Sequence, residues 1–163
     1  MGPEIIAAYN ELDAVRQLFQ EYDDWLYELA GMAPRDGAEA ELPGSYAHPY
    51  GRLYIARRDG HWAGCAALRR FDGSRGELQR LYVRPEFRGL KLGRALADLM
   101  VSEAQKIGYK ALLLDTLPAL EAANALYKSL GFQEIKPYYF NPRPDMRYME
   151  IRLKPATSNK HWI

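Results

Sequence analysis

The feature that most constrains this chain is a basic, glycine-containing segment that joins an apolar strand end to a helix. It reads LYVRPEFRGLKLGRA over residues 81–95. Apolar residues then recur at three- and four-residue spacing as far as Ile107, which predicts an amphipathic helix ending at Gly108. The first amides of such a helix have no carbonyl partners, and the helix dipole leaves that end partly positive.

Arg88, Lys91 and Arg94 crowd this positive helix end, where cations are normally disfavoured. An anion bound among them by free backbone amides would explain their position, with Gly89 and Gly93 allowing a phosphate to approach closely. The alternative is a solvated surface on which the glycines only shape a turn. The segment matches neither the phosphate loop of nucleotide hydrolases nor the glycine fingerprint of dinucleotide-binding folds.

The segment resembles the pyrophosphate loop of the GNAT superfamily of N-acetyltransferases. That loop reads Gln or Arg, two residues, Gly, one residue, then Gly or Ala, and here it runs from Arg88 to Gly93. Lys91 replaces the middle glycine, and its amide can still serve a phosphate if the backbone there is right-handed helix, as we expect. A second signature, ALYKSLGF over residues 125–132, is similar to a family helix that ends in Leu-Tyr and is followed by Gly-Phe.

The resemblance covers about Glu4 to Leu153 and implies acetyl-CoA as co-substrate. It assigns cofactor binding to the end of the family's fourth strand and to the loop that follows: Leu81, Tyr82, Val83, Arg88, Gly89, Leu90, Lys91, Leu92, Gly93 and Arg94.

Strand and helix patterns alternate along the 163 residues, which predicts one α/β or α+β domain. The resemblance implies a mixed sheet of about six or seven mostly antiparallel strands, flanked by about four helices, whose fourth and fifth strands splay apart. We expect the domain to span residues 1–155 and a tail to span 156–163. Local signals predict a hairpin at Asp59-Gly60, a short helix near residues 37–41, and Pro118 in the first turn of a helix.

The composition narrows the choice of partners. A net charge of +1 gives no reason to expect nucleic-acid or membrane binding, and no apolar run is long enough to span a bilayer. We therefore expect a soluble, cytoplasmic protein. Cys65, the only cysteine, lies in an apolar strand pattern typical of an inert core thiol, and the histidines lack metal-ligand spacing, so no metal is expected.

Amide formation requires an amine that has lost its proton, donors for an oxyanion, and a proton for the departing thiolate. The resemblance places the backbone amide of Val83 against the thioester carbonyl and the Tyr127 hydroxyl against the leaving sulfur. Glu77, on the same strand as Val83, is the candidate base, acting through water, and Asp115 is the second candidate. The alternatives are core packing for Tyr127, an exposed carboxylate for Glu77, and a helix cap or loop bond for Asp115.

The acceptor segments implied by the resemblance are residues 22–50 and 136–145, which suit an amine with an apolar stem. Residues 138–142 could instead form a homodimer contact. We expect an N-acetyltransferase that transfers an acetyl group to a primary amine of a small-molecule or amino-acid-like acceptor, by direct attack in a ternary complex. The alternative is a non-catalytic acyl-CoA sensor. The aromatic side chains of the two acceptor segments are Tyr46, Tyr50, Tyr138, Tyr139 and Phe140.

Overall fold

The computed structural model describes residues 2–33 and 41–156 of the chain. Most of the helix predicted near residues 37–41, and the tail beyond residue 156, lie outside the described residues. The strands are β1 Glu4–Ala7, β2 Arg52–Arg58, β3 His61–Arg70, β4 Arg75–Val83, β5 Ala111–Thr116, β6 Gln133–Ile135 and β7 Arg147–Arg152. The helices are α1 Leu12–Ala30, α2 Leu92–Ile107 and α3 Glu121–Leu130, with short 3-10 turns at Gly44–Tyr46 and Pro85–Phe87.

The strands form one mixed sheet in the order β1-β2-β3-β4-β5-β7-β6. Every neighbouring pair is antiparallel except β4 and β5, which are parallel. This confirms the predicted mixed α/β sheet of mostly antiparallel strands. The expected helix number was slightly high, because three α-helices lie within the described ranges and two connections are single 3-10 turns. No helix in the described part of the chain is long and apolar enough to cross a membrane.

The sheet is covered on both faces because side chains alternate along its strands. On β3, Cys65 and Ala67 pack into the cluster formed with α1, whereas Ala66 and Leu68 pack into the cluster formed with α2 and α3. The α1 cluster contains Val15, Leu18, Phe19, Leu53 and Ile55, and the α2 cluster contains Leu92, Leu96, Met100, Leu112 and Leu114.

Local turn signals were mostly reliable. Asp59 and Gly60 have φ values of 50° and 78°, so the β2–β3 hairpin turns through two left-handed residues, as the Asp-Gly pair predicts. The prediction for Pro118 is wrong, since α3 begins at Glu121. The Leu120 amide donates to the Leu117 carbonyl at 3.0 Å, so residues 117–120 close a turn before the helix starts.

Two features of β4 open the sheet. The parallel ladder between β4 and β5 covers only Arg75–Glu77 and Ala111–Leu113. Further along β4, Cys65 lies opposite Tyr82 but Ala67 lies opposite Gln79, so β4 carries one extra residue and bulges. Arg80 takes a φ of 56° at this bulge. Because a bulge bends and twists its strand, β4 turns away from β5 and leaves a cleft, as the resemblance implied.

Candidate active site

A cleft open to solvent lies between β4 and β5. We call its closed part, where the two strands last pair at Glu77 and Leu113, the inner end. We call its other part, where β4 ends at Val83 and α2 begins, the loop end. Its wall is lined by side chains from α1, β4, β5 and α3, among them Tyr22, Asp23, Leu26, Arg80, Leu81, Leu114, Asp115, Leu120 and Tyr127.

At the loop end the backbone departs from the expected right-handed conformation. Lys91 is the N-cap of α2 with φ 60° and ψ 20°, and Gly89 has a φ of 84°. Our expectation of right-handed helix at Lys91 is therefore wrong. The left-handed conformation costs an L-residue roughly 1 to 2 kcal/mol, which explains why the family pattern has glycine at this position.

Gly93 lies in the first turn of α2, close to the end of β4. A Cβ atom at this position would lie 3.8 Å from both Leu126 Cδ2 and Val83 Cγ2, which is ordinary van der Waals contact. The protein side thus has room for one methyl group at position 93. Leu90 is exposed and Leu92 is buried beneath the helix.

The basic side chains of the loop are not grouped over the helix end. Arg88 donates from Nε to the Val83 carbonyl at 2.9 Å, and its guanidinium lies 4.7 Å from the ring centre of Trp25 on α1. Arg94 donates to Ser129 Oγ at 3.0 Å, which ties α2 to α3. Lys91 is exposed.

The last residues of β4 alternate between the two faces of the sheet. Leu81 lines the cleft, whereas the Tyr82 ring packs on α1, 5.9 Å from Tyr22 and 6.0 Å from Trp25. Burial raises the pKa of Tyr82 to about 12. Tyr82 can therefore reach a ligand in the cleft only through its backbone. Val83, the final strand residue, lies beside Gly93.

Tyr127 of α3 is both a core residue and a lining residue of the cleft. It is 7 % exposed, and its ring makes an edge contact with Phe132 at 5.7 Å. Its pKa is raised, first by burial and then by the nearby Tyr22 and Asp115. Within residues 2–33 and 41–156 its hydroxyl makes no hydrogen bond. A neutral hydroxyl that keeps its proton is therefore available to a ligand.

Glu77 lies at the inner end, at the last paired position of β4. It is 1 % exposed, which excludes the alternative of an ordinary surface carboxylate. Its Oε1 accepts from Arg69 Nε at 2.9 Å and from Gln79 Nε2 at 2.8 Å. Its Oε2 accepts from the Tyr138 hydroxyl at 2.5 Å.

Asp115 of β5 lines the cleft itself and accepts a hydrogen bond from the Tyr139 hydroxyl. Asn141 in turn donates to the Tyr139 oxygen at 3.2 Å. Asp115 is not the cap of α3, because the N-cap residue is Leu120. Of the two alternatives, the loop bond is the one present.

The aromatic residues of the proposed acceptor segments separate into three groups. Tyr138 and Tyr139 lie at the inner end, where their rings contact Tyr148 at 5.4 Å. Tyr46 is buried in the α1 cluster. Tyr50 and Phe140 are exposed, Phe140 by 87 %.

The cleft wall contains a buried charged pair that was not predicted from the sequence. Arg80 at the bulge donates from Nη1 to Asp23 Oδ1 of α1 at 2.7 Å, and its guanidinium lies 4.7 Å from the ring centre of Phe19. Neither residue belongs to a recognisable motif, and 57 positions separate them. Neither hydrophobic periodicity nor a local motif in the sequence therefore predicts this pair.

Other polar groups add no further chemistry to the cleft. Cys65 is buried, and burial raises its pKa to about 12, so it stays a neutral thiol. In the part of the chain that the structure describes, no group of His, Cys, Asp or Glu has metal-binding geometry.

Sequence comparison matches the chain to a family model and to individual relatives. The sequence model described as acetyltransferase (GNAT) family matches residues 12–132. An uncharacterized N-acetyltransferase of Schizosaccharomyces pombe is 40% identical over 149 residues, covering 88% of this chain and 90% of that protein. The IAA acetyltransferase of Azospirillum brasilense is 35% identical over 143 residues, covering 86% and 92%.

Among solved structures, yncA of Salmonella typhimurium with its cofactor acetyl-CoA superposes with a TM-score of 0.71. The identity is 21%, over 97% of this chain and 98% of that chain, so this likeness concerns the fold. The family model and the two sequence relatives show which family the chain belongs to. The chain belongs to the acetyltransferase (GNAT) family and is an acetyl-CoA-dependent acyltransferase.

Proposed function

We propose that this protein transfers the acetyl group of acetyl-CoA to the primary amine of a small-molecule or amino-acid-like acceptor, by direct attack within a ternary complex. The observation that carries the proposal is the cleft opened by β4. Its lining follows β4 from Leu78 to Leu81 and β5 from Leu114 to Thr116, and it includes Asp115 and Tyr127.

The cofactor would bind along the end of β4, at Leu81, Tyr82 and Val83, and on the loop that follows. The pyrophosphate would accept from the backbone amides of residues 89–94, because turns that contain left-handed residues also direct successive amides towards an anion. The α2 dipole would favour its charge. The left-handed backbone at Gly89 and Lys91 turns the chain around this point, and Gly93 leaves room for the phosphates.

For the acyl transfer itself, the Val83 amide would polarise the thioester carbonyl. The amine nitrogen forms the new bond to the carbonyl carbon, and the bond from that carbon to sulfur breaks. Tyr127 would donate its hydroxyl proton to the departing CoA thiolate. The nitrogen loses its surplus proton as the amide forms, and this proton, returned through water, would restore the Tyr127 hydroxyl.

An alkylammonium ion has a pKa of roughly 10 and no lone pair, so a base must take a proton from the acceptor before it attacks. Glu77 is our candidate, acting through water from the inner end. Asp115 is the second candidate, since it lines the cleft directly. The described lining of the cleft holds two carboxylates, Asp23 and Asp115, and one cation, Arg80, which pairs with Asp23. The charge of Asp115 favours a cationic acceptor.

The test is free-thiol release from acetyl-CoA across a panel of monoamines, diamines and amino acids. Turnover with at least one amine is expected, and Glu77→Gln or Asp115→Asn should lower kcat by about a hundredfold or more. Asp13→Asn, an exposed carboxylate on α1, is the matched control and should leave kcat unchanged. Calorimetric binding of acetyl-CoA without turnover of any amine would contradict the proposal and favour a cofactor sensor.

A further inference from the structure

Two consecutive tyrosines bond to the two candidate bases. Tyr138 and Tyr139 belong to the segment between β6 and β7, and their hydroxyls donate to Glu77 of β4 and Asp115 of β5 respectively. The sequence separations are 61 and 24 residues, so this arrangement exists only in the folded chain.

The rings of these tyrosines are held firmly. Tyr138 and Tyr139 contact each other at 5.3 Å, and Tyr138 also makes an edge contact with Phe71 at 4.9 Å. Because packing fixes each ring, each hydroxyl has a fixed direction. The hydroxyls are therefore not needed to keep the rings in place.

A hydrogen bond donated to a carboxylate stabilises its charge and fixes the direction of the group. Among the described residues, the groups that interact with the two carboxylates include Arg69 of β3, Gln79 of β4, Tyr22 of α1, Tyr127 of α3, and Tyr138 and Tyr139 themselves.

We propose that Tyr138 and Tyr139 are positioning residues, which hold the Glu77 and Asp115 carboxylates fixed in direction so that one can accept the acceptor's proton. The inference rests on the proposed function and adds that the segment between β6 and β7 controls the base. Burial and the charge of Glu77 raise the pKa of Tyr138, so it remains a donor throughout the working pH range.

The kinetic test uses Tyr138→Phe, Tyr139→Phe and the double variant. Each loses one oxygen and keeps the packed ring. Removing a donor to a carboxylate raises the pKa of that carboxylate, so the acid limb of kcat/KM should move to higher pH by about 0.5 to 1 unit for the variant that bonds the acting base. The KM for acetyl-CoA should change less than about twofold, because the cofactor lies at the other end.

Tyr109→Phe is the matched control. Its hydroxyl donates to the Tyr50 carbonyl at 2.6 Å, away from the cleft, so removing it costs one buried hydrogen bond without touching either carboxylate. Its pH profile should superimpose on that of the wild type. If the profiles of Tyr138→Phe and Tyr139→Phe superimpose as well, the proposal is wrong.

A second measurement does not depend on turnover. Carboxyl 13C NMR titration, with Glu77→Gln and Asp115→Asn for assignment, should show a higher carboxyl pKa for Glu77 in Tyr138→Phe and for Asp115 in Tyr139→Phe. Unchanged carboxyl pKa values would overturn the inference even in an active enzyme. Raised values in a protein that acetylates no amine would retain the tyrosine–carboxylate coupling but refute the proposed function and, with it, the positioning role.

Discussion

At the loop end the cleft is formed by one continuous segment, residues 81–94, whereas its inner end is assembled from β4, β5 and the segment between β6 and β7. The loop end presents mostly backbone: a strand terminus, left-handed turns and the first amides of a helix. The inner end presents side chains, each held by a partner distant in sequence. We infer that the loop end binds acetyl-CoA, which every reaction of this enzyme uses. The inner end selects and activates the amine acceptor.

If the two ends act separately, substitutions at each should have different kinetic signatures. After the carboxylate variants, the largest expected effect concerns Tyr127, which lies between the two ends. Tyr127→Phe should lower kcat by about ten- to a hundredfold, while KM for acetyl-CoA changes less than about threefold, because a packed ring loses only its proton donor. Steady-state kinetics at saturating amine measures both.

Tyr9→Phe, which removes another part-buried hydroxyl bond, to the Tyr46 carbonyl, is the control for Tyr127→Phe. If Tyr127→Phe instead unfolds at lower temperature and loses binding and turnover in proportion, Tyr127 serves the core alone. Full activity would show that water or another residue supplies the proton.

The next effect belongs to the loop end. Gly93→Val should weaken acetyl-CoA binding at least tenfold, about 1.4 kcal/mol, because its branched side chain would occupy the place of the pyrophosphate. Gly93→Ala should bind within about threefold of wild type, since a Cβ there meets Leu126 and Val83 at an ordinary 3.8 Å. Calorimetry on folded protein distinguishes these results, and equal affinities for Val and wild type would refute the loop assignment.

A smaller effect is expected for Arg88→Ala, about three- to tenfold weaker acetyl-CoA binding at low salt. If the Arg88 guanidinium acts on the phosphates, this loss shrinks as salt is raised. If it acts only by holding the Val83 carbonyl and covering Trp25, the loss is independent of salt. Lys106→Ala, at the far end of α2, is the control and should leave binding unchanged.

The smallest effect is on stability. Lys91→Gly should raise the free energy of unfolding by about 0.5 to 1 kcal/mol, because glycine adopts the left-handed backbone at position 91 without strain. Lys91→Ala removes the same charge and keeps the strain, so it should show no such gain. Urea unfolding measures both, and an equal gain in the alanine variant would assign the effect to charge.

The contrast between the two ends also explains what the sequence could predict. Helix α2 with its terminating Gly108, the hairpin at Asp59-Gly60 and the loop at residues 88–93 all depend on neighbours in the chain. Periodicity, turn residues and family signatures therefore predict them. The left-handed Lys91 was missed because a lysine gives no local signal for positive φ.

The inner end was predicted only in part. Glu77, Asp115 and the two tyrosines were each identified as candidates, but their pairing was not. The bonds from Tyr138 to Glu77 and from Arg80 to Asp23 span 61 and 57 residues, and they depend on how the bulged β4 sits against α1 and β5. Such contacts follow from tertiary packing, which one sequence without its relatives does not encode locally.

The central claim is that cofactor and acceptor chemistry occupy separate ends of one cleft. Backbone amide NMR during titration with CoA tests it directly. We expect the largest shift changes at residues 81–83 and 89–94, with small changes at residues 138–141 until an amine acceptor is added. Large changes at residues 138–141 with CoA alone, or none at residues 89–94, would contradict the account.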